Sequence, residues 1–185
     1  QLAASNLVFK FMEVSFMPTV GLGVAVVASV GRAIGQGRHD LARLSVKWGI
    51  IYGVAYMGTL AVIFLLNRHR LPALITDDPE VIAWAGKLLI CVAVFQVFDA
   101  MAIVFNSALR GAGDTRWPAV VFLFYAGVLF VGGGYLVAWL RPDWGSLGPW
   151  AVATTYVVVL GVTFLARFRF GPWERIDLHR DHEAA

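Results

Sequence analysis

Nineteen consecutive residues, 48–66, carry no charge (WGIIYGVAYMGTLAVIFLL). At about 1.5 Å of rise per residue, such a run crosses the hydrocarbon of a bilayer as one helix. Four more stretches are predominantly apolar and long enough to span: 3–35, with an uncharged core at 14–30, then 81–109, 117–140 and 150–166. Only 15% of the chain is charged and 59% is apolar, whereas a soluble domain is about a quarter charged. The expected fold is therefore an all-α, polytopic membrane helix bundle of about five transmembrane helices over residues 1–170. A polar cytoplasmic tail, 171–185, follows it. The chain opens QLAASN, with neither an initiator Met nor a basic leader, and is expected to be a fragment truncated at its N-terminus.

The same composition narrows function. Basic residues sit in separate loops rather than in one patch, which argues against nucleic acid as a partner. Cys91 is the one cysteine and lies in an apolar helix, so neither a disulfide framework nor a metal site is implied. Loops after the first, third and fifth spans hold Arg32, Arg38, Arg43, Lys47, Arg110, Arg116, Arg167, Arg169, Arg175 and Arg180. The opposite side has only Arg68, Arg70 and Arg141, with Lys10 and Lys87 near the starts of helices. This bias puts the C-terminus in the cytoplasm and Gln1 outside, in the cell (inner) membrane. Trp48, Trp117, Trp139, Trp144 and Trp150 fall near the expected interfaces, as an aromatic belt would.

Residues 88–118 organise the rest. Asp99 lies near the middle of an apolar helix, and an acid at membrane depth costs about 2.5–3.5 kcal/mol to insert, so it should face a cavity or a partner. Gln96, Asp99, Asn106 and Arg110 are spaced by three, seven and four, which sets a polar stripe on one helix face. The helix should stop at the turn Arg110-Gly111-Ala112-Gly113-Asp114-Thr115-Arg116. Asp114 or Thr115 would cap the next helix, with Pro118 tolerated in its first turn.

In the first span, Pro18 followed by Gly21 and Gly23 predicts a bend or partial unwinding, a feature that lines cavities in transporters. Gly31 and Gly35 make a small-xxx-small pair suited to close packing. The glycines from Gly31 to Gly37 are not a phosphate loop, since no strand precedes them and no lysine follows. Residues 38–47, with Arg38, His39, Asp40, Arg43 and Lys47, read as a basic amphipathic connection at the membrane surface. Asp77, Asp78 and Glu80 read as a solvated helix start with N-terminal caps rather than a cation site. The triplet Gly132, Gly133 and Gly134 predicts a flexible or tightly packed point. His179 and His182 belong to the polar tail.

Four stretches in order, FMPTVGLGVAVVASVGRAIGQGRHDLA, LITDDPEVIAWAGKLL, FQVFDAMAIVFNSALRGAGDTRWP and FRFGPW, resemble the multidrug and toxic compound extrusion (MATE) transporters. The likeness runs from about residue 5 to 173. It implies helices 8–12 of a twelve-helix antiporter built of two lobes, with the N-terminal lobe of the same protein as a partner lying outside this chain. It implies a secondary active antiporter, not an enzyme. Such a protein exports cationic or amphipathic drugs and toxic compounds, small-molecule organic cations, in exchange for Na⁺ or H⁺, and needs no cofactor beyond that coupling ion and the membrane lipid around it. By the same resemblance Asp99, in FQVFDA, occupies the place of the family's C-lobe cation-coupling aspartate. Gln96, Asn106, Glu13 and Phe95 are candidate cavity-lining residues, Glu13 being either a local partner for Asp99 or Lys10 or an interfacial acid. Phe95, Phe98 and Phe105 could give apolar contact to a flat cation or serve as packing.

Two rivals have sequence support. Gly111-Ala112-Gly113-Asp114 matches the GxGD of intramembrane aspartyl proteases, with Asp99 as second acid. Fifteen residues of mostly helical chain should hold the two about 20 Å apart, too far to share a proton. A lipid-linked saccharide flippase would want basic residues inside its cavity, and these spans have almost none at mid-depth.

Overall fold

The computed structural model describes residues 2–171 and 173. In chain order the elements are α1 (Leu2–Gly35), α2 (His39–Leu66), the short α3 (Arg70–Ala73), α4 (Pro79–Gly111) and α5 (Arg116–Tyr125). A π-helical stretch (Ala126–Gly132) then leads into α6 (Gly133–Leu140), and after a 3₁₀ turn (Pro142–Trp144) the described helices end with α7 (Leu147–Phe170). Five of the spans are long and apolar enough to cross a membrane, with α5, the π stretch and α6 forming the fourth.

α4 is the axis, packed on α1, α2 and α7, while the fourth span leans on α7. Close approach depends on small residues. A Cβ on Gly111 would come 2.7 Å from the Val27 carbonyl oxygen of α1, and one on Gly161 of α7 would come 3.0 Å from the Phe98 oxygen of α4. Without a side chain at these points the backbones meet directly, as helices do in lipid. Gly31 is also tight, 3.3 Å from the Gly111 oxygen, but its expected companion Gly35 has open space around it.

The buried residues form two separate cores. One, towards the start of α2 and the end of α7, gathers Val30, Val46, Val104, Leu109 and Phe164. The other, at the opposite end, gathers Leu7, Val8, Phe64, Leu88, Val92 and Trp150. On α4 these cores hold residues 85–92 and 102–109, and Gln96 and Asp99 fall in the interval between them.

Several local expectations need correction. Helix α1 runs unbroken through Pro18 and Gly21, with no unwound turn; Pro18 is exposed, and Gly21 has nothing within 4 Å of a would-be Cβ. Helix α2 begins at His39, so the basic segment expected as a surface connection forms its first turns. Asp78 does cap α4, accepting from the Glu80 and Val81 amides. Trp150 is no belt residue: it is 7% exposed and donates through Nε1 to Ser5 Oγ at 3.2 Å. The glycine triplet is tight at Gly133, where a Cβ would meet Val152 at 3.2 Å, and its first glycine, Gly132, ends a π stretch that hydropathy does not announce. His179, His182 and nearly all of the tail lie outside the described residues.

Candidate functional site: the cavities around Asp99

Between the two cores α4 presents Gln96 and, one turn on, Asp99. Gln96 is 2% exposed, and neither Oε1 nor Nε2 has a hydrogen-bond partner. Leaving a buried amide unpaired costs about 1–3 kcal/mol, and such groups in native folds call for a specific reason. On α1, Thr19 is 1% exposed with its Oγ1 also unpaired. Ser15, one turn earlier, spends its hydroxyl on the Phe11 carbonyl at 2.9 Å. Asp99 itself is half-buried, and among the described residues no hydrogen bond or ion pair reaches its carboxyl.

Asp99 is on the wall of two cavities. The first, about 350 Å³, lies between α1, α2 and α4 and is lined by Glu13, Ser15, Phe16, Met57, Gln96 and Asp99 among others. The second, also about 350 Å³, lies between α1, α4, α7 and the fourth span, with Phe122, Phe130, Trp150 and Tyr156 in its wall. Phe9, Met12, Phe95 and Asp99 border both. The second is an aromatic enclosure: Phe9 and Trp150 have ring centroids 4.9 Å apart, and Tyr156 meets Phe130 at 5.7 Å and Phe122 edge-on at 6.3 Å. Phe130 belongs to the π-helical stretch, a local rewinding that often accompanies function.

Of the candidates named from sequence, Asp99, Gln96, Glu13 and Phe95 come together here. Glu13 is exposed at the cavity edge and pairs with neither Asp99 nor Lys10. Asn106 lines neither cavity, being about 10 Å along the helix from Asp99 in the level of the first core. Phe98 and Phe105 line neither as well: Phe105 is buried and its ring lies 5.6 Å from that of Phe168. Trp150 and Tyr156 escape a reading of the sequence as site residues, and the unpaired Thr19 lines neither cavity. The spacing Trp150, Ala153, Val157, Leu160 marks one face of α7, and could have pointed to it.

The turn motif does something other than expected. Gly113 takes φ +89, which makes it the helix breaker, while Arg110 and Gly111 are still helical. Thr115 sits at the N-cap of α5 without a capping bond. Asp114 caps nothing through its side chain: it is buried and accepts from Arg167 Nε at 3.0 Å and Nη2 at 2.9 Å. Arg167 also covers the Trp117 ring at 4.8 Å. Asp114 is therefore committed to α7, and about 18 Å of helix separate Asp99 from Gly111, so the two acids form no catalytic dyad.

A model of the family described as MatE matches residues 1–136. The chain belongs to the MATE family. It is 28% identical to "Probable multidrug resistance protein NorM" of Shewanella oneidensis, over 97% of this chain and 39% of that protein. It is 31% identical to "Multidrug resistance protein MdtK" of Pectobacterium atrosepticum, over 91% and 37% respectively. It is 32% identical to "Multidrug resistance protein PmpM" of Pseudomonas aeruginosa, over 80% and 32%. The chain thus spans less than two fifths of the length of these relatives. The crystal structure of the eukaryotic MATE transporter AtDTX14 superposes with a TM-score of 0.84 at 18% identity, covering 94% of this chain and 38% of that one, and so shares the fold. The chain is a multi-pass membrane protein of all-α fold.

Proposed function

We propose that this chain forms part of the C-terminal lobe of a secondary antiporter, at helices 8–12, which exports cationic amphipathic compounds in exchange for Na⁺ or H⁺. One observation carries the reading: Asp99 lies at mid-span with no cation or donor of its own among the described residues, between two apolar cavities and beside the unpaired Gln96 amide. A carboxylate in that setting is favourable only with a proton or a cation on it. A ligand held there changes which arrangement of the lobes is stable, and alternating access follows by rocking one lobe against the other. The aromatic enclosure of Phe9, Phe122, Phe130, Trp150 and Tyr156 suits a flat cation, whose charge is attracted to ring faces.

The basic end of the bundle is assigned to the cytoplasm by the positive-inside bias, in the inner membrane with the C-terminus inside. A flippase reading is weaker, because neither cavity beside Asp99 has an arginine or lysine in its wall with which to hold a pyrophosphate.

The test is efflux by the full-length transporter in cells. Asp99→Asn removes the charge and keeps the shape, so cation-driven export of a fluorescent organic cation should fall to background, with Asp99→Glu retaining part of it. Undiminished efflux by the Asp99→Asn protein would refute the coupling role.

A further inference from the structure

The largest of the cavities described is not beside Asp99. It opens between the first half of α2 and the end of α7, holds about 590 Å³, and belongs to the end of the bundle that carries most of the positive charge. Arg43, Lys47 and Arg169 form its rim, and Ile50, Phe105, Leu165 and Phe168 are among the residues of its floor. Among the described residues no carboxylate lines it. The described acids nearby are engaged elsewhere: Asp40 with Arg38 at 3.3 Å and Asp114 with Arg167 at 2.9 Å. Lys47 and Arg169 have no ion pair among the described residues; Arg169 lies over the Phe170 ring at 5.8 Å.

Depth completes the arrangement. Lys47 and Ile51 are one turn apart on α2, and Leu165 and Arg169 one turn apart on α7, so at these lining residues cation and apolar side chain are separated by about 6 Å along the span. Phe105, the floor residue from α4, belongs to the core rather than the surface. Cations at interface level above an apolar pocket match a molecule with a negative head and hydrocarbon tails. A soluble anion would leave the floor unused, and a neutral lipid would leave Lys47 and Arg169 uncompensated.

We propose that this cavity is a binding site for one anionic phospholipid of the leaflet at the basic end of the bundle. The phosphate would lie against Lys47 and Arg169, with an acyl chain against Phe105, Leu165 and Phe168. The proposal rests on the orientation given above and not on Asp99.

The experiment uses the full-length transporter purified from membranes and reconstituted in nanodiscs of phosphatidylglycerol and phosphatidylethanolamine, with lipids retained after gentle extraction counted by native mass spectrometry. The wild type should keep phosphatidylglycerol in preference to phosphatidylethanolamine. The double variant Lys47→Gln, Arg169→Gln should keep about thirtyfold less, since each cation near an anionic headgroup contributes about fivefold in affinity. The charge-preserving pair Lys47→Arg, Arg169→Lys should restore retention, which separates charge from folding. Asp99→Asn should keep the lipid whatever it does to efflux, so this proposal and the antiport reading fail separately. Equal retention of the two lipids by the wild type, or unaltered retention by the neutral variant, would overturn it. So would displacement by glycerol phosphate as effective as by phosphatidylglycerol, or lipid uptake only after residues 174–185 are removed, which would make the chain's own acidic tail the occupant.

Discussion

Helix α4 buries fourteen residues, from Ala85 to Leu109, whereas the fourth span, α5 with the π stretch and α6, buries Pro118 alone. Both are apolar enough to cross a bilayer, and their mean hydropathies, 2.5 and 2.1, do not foretell the contrast. The difference is in what each touches. α4 packs chiefly on α1, α2 and α7 and carries both cores, so its side chains facing the Asp99 cavities, Phe95, Gln96 and Asp99, have a fixed address. The fourth span packs along α7, and its base is held by the Asp114–Arg167 pair and the Trp117 stack. The cavity around Asp99 thus has one wall built into the bundle and one resting against it, the latter carrying Phe122 and Phe130.

That contrast can be broken most severely at Gly111. Valine there would drive a Cβ to 2.7 Å from a backbone oxygen that cannot swing aside, at a cost of about 3 kcal/mol, near the upper end for overpacking. Thermal unfolding of the full-length protein should show it, while Gly127→Ala in the π stretch, where nothing lies within 4 Å, should leave the melting temperature nearly unchanged. Leu88→Ala comes next. Leu88 is 0% exposed, and the void left in a sealed core should cost about 2 kcal/mol. Asp114→Ala should cost less, about 1.5 kcal/mol, because the released Arg167 is 23% exposed and can reach water. Its signature is local: amide hydrogen exchange should quicken at residues 116–125 and stay slow in α4. Uniform quickening would mean that the pair holds the whole bundle and not the base of one span.

The spans are legible in the sequence because apolar length is a local property. Asp99 is legible too, because the cost of an acid inside such a run demands a cavity or a partner beside it. Helix ends are less legible. α2 starts at His39 rather than at 48 because hydropathy marks the hydrocarbon layer, while the helix continues into the interface with Arg43 and Lys47 on it. Pro18 misleads for a similar reason: a proline removes one backbone bond, and whether the helix opens depends on neighbours that the sequence does not name. The remaining misses are long-range pairs. Asp114 resembles a cap because its partner Arg167 is 53 residues away, and Trp150 resembles a belt residue because Ser5 is 145 residues away.

The smallest effect is the sharpest test of how the fourth span is held. Leu123 is 75% exposed and points out of the bundle, opposite in situation to Leu88. In lipid, a truncated outward leucine is replaced by acyl chain, so no void forms and no apolar surface is lost to water; packing alone sets helix association there. Leu123→Ala should therefore change stability by less than about 0.5 kcal/mol. A loss comparable to Leu88→Ala, measured by the same unfolding assay on the full-length transporter, would mean that this face meets another part of the protein, and that the fourth span is packed on both sides.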